Sequence, residues 1–105
     1  QPVDLTFADW GIPTEEALIQ VREATPDLEI VASGGIRSGL DVAKAIALGA
    51  NIAAIGQPLL APALESAEEV IKFLTGVIYE IKVAMLCVGV TNLAALSKVP
   101  LMRRP

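Results

Sequence analysis

The stretch Leu28-Glu29-Ile30-Val31-Ala32-Ser33-Gly34-Gly35-Ile36-Arg37-Ser38-Gly39 decides how the rest of the chain is read. Leu28 to Ala32 is short, mostly apolar and not strictly alternating, which predicts a strand covered on both faces. It runs into a Gly-Gly pair, and a helix is expected from about Leu40 to Leu48. Ser38 and Asp41 have capping-box-like spacing at its start, and Gly49 is a natural C-terminal stop. The pattern then repeats: Asn51 to Ile55 reads as a second strand, ending at Gly56-Gln57-Pro58. Strands joined through a helix of about ten residues imply parallel pairing with a right-handed crossover.

Upstream, Pro13-Thr14-Glu15-Glu16 reads as a helix start, with Thr14 as cap and two acids in the first turn. Ala17, Leu18, Val21 and Ala24 supply its apolar stripe, and Pro26 ends it. Gln1 to Ile12 has no clear period. Downstream, Pro58 to Ala61 reads as a short extra helix, and Ser66 and Glu69 give another capping-box spacing. Val70, Leu74, Val77, Ile78, Ile81 and Met85 then recur at helical intervals until Gly89, and a last short helix is expected from Asn92 to Ser97. The order helix, strand, helix, strand, helix belongs to the α/β class. Two strands alone are too few for a stable sheet. Either Gln1 to Asp9 adds a third, or other chains do, or the chain is part of something larger.

Composition sets outer limits. The 105 residues make room for one modest domain, and a complete (β/α)₈ barrel needs at least about 200. Hydrophobic residues at 53% against charged ones at 19% exclude a disordered tail. An aromatic share of 4% predicts an aliphatic, alanine-rich core. Eight basic against twelve acidic residues, with no basic cluster beyond Arg103-Arg104, argue against a nucleic-acid partner. The chain has no histidine, hence no His base, no Ser-His or Cys-His pair and no His metal ligand. Its one cysteine, Cys87, sits in the apolar run Val83 to Val88 and is expected to be a buried core thiol. A reducing, cytosolic setting fits that usage. Asp4 and Asp9 interrupt any signal-peptide pattern. Ala45 to Leu64 is uncharged, but its glycines, Asn51, Gln57 and prolines favour strand, turn and helix over a membrane span.

The strongest chemical signal is the glycine turn. Gly34 and Gly35 at a strand end let backbone N–H groups approach a ligand with no β-carbon in the way. The following helix aims its positive end at the same spot, and Arg37 adds a forked cationic donor. Together these make an anion site suited to phosphate; the alternative is a tight turn needing glycine for geometry only. Gly56-Gln57 forms a second glycine strand end before a short helix. In (β/α)₈ barrels the loops after strands seven and eight often share one phosphate site. Trp10 reads as a cover for the rim of the core, and Asp9 has no visible acid–base partner. Glu65, Glu68 and Glu69 read as a solvated helix start rather than a metal site. No catalytic residue and no metal ligand is assigned to this chain.

Asp9-Trp10-Gly11-Ile12-Pro13-Thr14, followed by Ala32-Ser33-Gly34-Gly35-Ile36-Arg37-Ser38-Gly39 and on through Ala50, closely resembles type 2 isopentenyl-diphosphate isomerase. The resemblance implies that residues 1–105 are a single segment, the C-terminal part of a (β/α)₈ TIM barrel with parallel strands and crossover helices. It places the FMN phosphate on Gly34, Gly35, Ile36 and Arg37 and, after the next strand, on Gly56 and Gln57. The family more often has Ala-Leu at this last pair, a change that backbone contacts survive. Gly-Gly-Ile-Arg is shared by several FMN-dependent barrels, whereas Asp-Trp-Gly-Ile-Pro-Thr narrows the match to the isomerase.

Family enzymes interconvert isopentenyl and dimethylallyl diphosphate with reduced FMN, NADPH as reductant and Mg²⁺ on the diphosphate. Their substrate and Mg²⁺ residues lie N-terminal to the part that matches Gln1. The resemblance therefore implies an isolated chain without isomerase activity, and a cytoplasmic homo-oligomer with no nucleic-acid or membrane partner. Two other readings stand beside it. One is a segment of an FMN-dependent α-hydroxy-acid oxidase or dehydrogenase, whose barrel carries a similar glycine–arginine loop. The other is a stand-alone half-barrel interaction module, because a partial barrel exposes sheet edges and apolar helix faces.

Overall fold

The computed structural model describes residues 13–101. In chain order the elements are α1 (Thr14–Ala24), β1 (Val31–Ala32), α2 (Gly39–Ala47), β2 (Ile52–Ala53), a 3₁₀ turn (Gln57–Leu59), α3 (Leu60–Glu65), α4 (Ala67–Val88) and α5 (Leu93–Leu96). The two strands pair in parallel, Val31 opposite Ile52 and Ala32 opposite Ala53, with α2 as the connection. Gln1 to Asp9, considered above as a third strand, and Trp10 lie outside the described residues.

The strands are shorter than the five-residue runs expected. Ladder bonding starts at the Ile30 carbonyl, which accepts from Asn51 and Ile52 N–H, and ends where Ala54 N–H donates to the Ala32 carbonyl at 2.8 Å. Beyond Ala32 the chain turns away through the glycines. The sheet also has one covered face, not the two expected. Ala32 is buried beneath the helices, while Val31 and Ile52, partners in register, are 58% and 55% exposed on the other side. Alternation along a strand sends neighbours to opposite faces, and among the described residues only the Ala32 face has helices to meet it.

The core is built around α2. Val42, Ala43, Ala45 and Ile46 are buried, joined by Leu18 of α1, Ala32, Ile36, Ala50, Val77 of α4 and Leu96 of α5. The alanine-rich composition is thus expressed as close packing. The tightest approach is at Gly39, the first residue of α2. A β-carbon there would land on the Val77 carbonyl oxygen and stand 2.5 Å from Glu80 Cβ. The gap is closed by Glu80, whose Oε1 accepts from Gly39 N–H at 2.8 Å.

Most helix ends follow the sequence. Ser38 Oγ accepts from Asp41 N–H at 3.2 Å, Ser66 Oγ from Glu69 N–H at 3.1 Å and Asn92 Oδ1 from Ala95 N–H at 2.7 Å. Gly89 closes α4 with φ +76°. The expected cap at Thr14 is not made. Pro13 occupies the capping position, and Thr14 is already the first helical residue, from which its hydroxyl cannot reach back over the first turn.

Cys87 corrects a second expectation, since it is exposed. The apolar run Val83 to Val88 is helical and so turns only one stripe inward. Ile81, Ala84 and Met85 pack on the core, while Leu86 is 79% exposed and Cys87 lines a shallow apolar groove with Leu40, Tyr79 and Val83. The uncharged stretch Ala45 to Leu64 divides into the end of α2, β2, the 3₁₀ turn and most of α3. Among the described residues no helix is long and apolar enough to cross a membrane.

Candidate functional site

Parallel pairing in register brings the C-terminal ends of β1 and β2 to the same edge of the sheet, and each end carries a glycine turn. After β1 the chain passes through Gly34 at φ +95° and Gly35 at φ +77°. Both lie in the left-handed region, where a side chain is strained. Ile36 then turns back into the core at 8% exposure and anchors the loop, so only its backbone faces the site. Arg37 is exposed. After β2, Gly56 caps the 3₁₀ turn that begins at Gln57.

The two turns are joined by one side-chain bond: Arg37 Nη2 donates to Gln57 Oε1 at 3.3 Å. The structure therefore gathers all of the sequence-derived candidates, Gly34, Gly35, Ile36, Arg37, Gly56 and Gln57, into one pair of adjacent loops. A β-carbon at Gly35 or at Gly56 would meet nothing within 4 Å. Both backbones border open space, and among the described residues neither N–H is taken up by a hydrogen bond. N–H groups and a guanidinium are donors, a set whose chemistry suits an anion.

The end of α2 contributes less than the sequence suggests. Its Gly39 N–H goes to Glu80 and its Asp41 N–H to Ser38. The Asp41 carboxylate lies in the first turn and accepts from Arg37 N–H at 3.0 Å, setting a negative charge against the helix's positive end. Two of the first N–H groups of α2 are thus taken, which shifts weight to the donors of the glycine turns and the Arg37 side chain.

Two contacts that set the strand ends are not legible in the sequence. Thr14 Oγ1 donates to the Gly34 carbonyl at 3.0 Å; the sequence marked Thr14 only as a helix cap. Arg22 binds the opposite end of both strands, and nothing in its sequence setting distinguishes it from a solvated helix arginine. Among the described residues no group of three or more His, Cys, Asp or Glu side chains is placed to hold a metal ion.

Residues 8–103 match the model of the FMN-dependent dehydrogenase family. The isopentenyl-diphosphate delta-isomerase of Mycobacterium marinum is 54% identical over 90 residues, which is 86% of this chain and 26% of that protein. The enzyme of the same name from Sulfurisphaera tokodaii is 46% identical over 95 residues, 90% of this chain and 26% of that protein. This chain thus spans about a quarter of the length of these curated relatives. Among solved structures, mandelate oxidase with benzoyl-formic acid matches with a TM-score of 0.79 and 34% identity, over 86% of this chain and 28% of that one. A mandelate oxidase mutant with the monooxide FMN adduct matches with the same TM-score at 33% identity, over 86% of this chain and 29% of that one. These neighbours indicate a TIM-barrel-type α/β fold.

Proposed function

The chain belongs to the FMN-dependent dehydrogenase family, and from that premise we propose that its own task is to hold the phosphate of FMN in the C-terminal part of a TIM barrel. The observation that carries this is the Arg37–Gln57 bond, which joins two glycine turns at the same edge of a parallel sheet. Gly34, Gly35, Ile36, Gly56 and Gln57 offer backbone N–H groups, and Arg37 offers the positive charge. The open space beside Gly35 leaves room for the phosphate next to its N–H.

The parent activity is that of a type 2 isopentenyl-diphosphate isomerase, interconverting isopentenyl and dimethylallyl diphosphate. Identity of 54% to an enzyme of that name supports it. When bound, reduced FMN supplies the acid–base chemistry of the proton shift, and the protein positions cofactor and substrate. NADPH would serve as reductant, and Mg²⁺ would ride on the diphosphate, held by residues outside this chain. The setting is cytoplasmic and the assembly a homo-oligomer. The second reading, an α-hydroxy-acid oxidase, draws on the mandelate oxidase neighbours at lower identity.

Flavin titration tests the phosphate site. FMN is expected to bind at least about tenfold tighter than riboflavin, which lacks only the phosphate, and Arg37→Ala abolishes the difference. Equal binding of both flavins overturns the reading. For the reaction, a protein carrying this segment within a complete barrel is assayed on isopentenyl diphosphate and on a panel of 2-hydroxy acids. The isolated chain should turn over neither.

A further inference from the structure

We infer that Thr14 is a positioning residue for the bound phosphate, acting through the peptide between Gly34 and Gly35. The inference rests on the FMN-phosphate reading above. Thr14 Oγ1 donates to the Gly34 carbonyl oxygen at 3.0 Å, across twenty positions of sequence. That peptide is trans, since the described chain has no cis bond. In a trans peptide the C=O and the N–H point in opposite directions. Holding the Gly34 oxygen against α1 therefore aims the Gly35 N–H away from α1 and out of the turn.

The tether matters because both flanking residues are glycine. With φ of +95° and +77° and no β-carbon on either side, the plane between them can rotate at low cost. A rotated plane would present the Gly34 oxygen to the anion instead of the Gly35 N–H, exchanging attraction for repulsion. Ile36 holds the far side of the turn by burial, and Thr14 holds the near side. A β-carbon on Gly34 would lie 3.4 Å from Thr14 Oγ1, so the hydroxyl closes against the back of the turn and outside the cradle. Its hydroxyl caps nothing, because α1 has no side-chain cap bond.

The test compares Thr14→Val, which keeps the shape and removes the donor, with Thr14→Ser, which keeps the donor. Each full chain is titrated with FMN and with riboflavin. Thr14→Val should weaken FMN about tenfold and leave riboflavin within about twofold, and Thr14→Ser should recover FMN to within about twofold. Unchanged FMN preference in Thr14→Val overturns the inference while leaving the phosphate site standing. Parallel loss of both flavins in Thr14→Val and Thr14→Ser also overturns it, since that marks a role in folding only. A wild-type chain with no preference for FMN overturns the phosphate reading, and the role of Thr14 falls with it.

Discussion

The Arg22 guanidinium is folded onto the Gly49 carbonyl, donating to its oxygen from Nε at 2.9 Å and from Nη2 at 2.7 Å. Gly49 sits at φ +122°, and a β-carbon there would stand 2.8 Å from Arg22 Cγ. The close approach and the backbone conformation both require glycine at this point. The same guanidinium reaches the carbonyls of Thr25, Pro26 and Leu28, and Nη2 also reaches Asn51 Oδ1 at 2.9 Å. Asn51 Oδ1 in turn accepts from Ile30 N–H at 2.8 Å. One side chain therefore ties α1, the turn into β1 and the turn into β2. It does so at the N-terminal ends of the strands, opposite the glycine turns; in TIM barrels that end serves stability rather than chemistry.

Arg22→Lys should destabilise the fold by about 2 kcal/mol, because an ammonium cannot reproduce the forked geometry and leaves several carbonyls without a donor. Gly49→Ala should cost a similar amount by striking the same contact. The double variant should lose less than the sum of the two, as expected for residues in direct contact. Urea unfolding of the four proteins measures this. Additive losses would show that the pair is not coupled.

Two glycines should behave in opposite ways. Gly39→Ala drives a methyl into the α4 backbone at Val77 and should cost about 1–3 kcal/mol, seen as a lower thermal midpoint. Gly56→Ala meets open space and should change stability by less than about 0.5 kcal/mol. Its methyl leaves the backbone N–H contacts in place, so FMN and riboflavin binding should both stay within about twofold. A stable Gly39→Ala protein would contradict the close packing of α2 on α4.

Gln57→Ala should weaken FMN by only about two- to fivefold, less than Arg37→Ala. Its Oε1 orients a guanidinium that still carries its charge, and exposed polar contacts of this kind contribute modestly. Isothermal titration of both variants against FMN gives the comparison. Equal losses would mean that Gln57 contacts the phosphate through its side chain as strongly as Arg37 does.

The Cys87 thiol should react with an aromatic disulfide reagent in the native chain, to one equivalent and without denaturant. A thiol that reacts only after unfolding would return Cys87 to the core and contradict the outward face of α4.

Local chemistry was readable from the chain itself. Ser38 and Ser66 each cap the helix that follows, and Gly89 ends α4, because a cap depends on residues within one turn of each other. The two βα units were legible from their alternating pattern, and Gly34, Gly35 and Arg37 from their closeness in sequence, whereas Ile36 entered the candidate set through the family resemblance. The stretches Asp9 to Thr14 and Ala32 to Ala50 also carry the family resemblance in sequence alone.

Long-range placement was not readable. The sequence neighbours of Thr14 suggest a cap, yet its hydroxyl goes to Gly34, twenty residues away, which only the tertiary fold brings near. The apolar neighbours of Cys87 point to the core, but an α-helix turns such a run both inward and outward, and the position of α2 decides which. Sequence by itself determined the order of the elements, their caps and the identity of the donors at the two glycine turns, because these follow from interactions within a few residues. Tertiary structure alone decided that Arg22 clamps Gly49, that Thr14 holds Gly34 and that Arg37 meets Gln57. Each of those contacts spans twenty or more residues and exists only once parallel strands set their turns side by side.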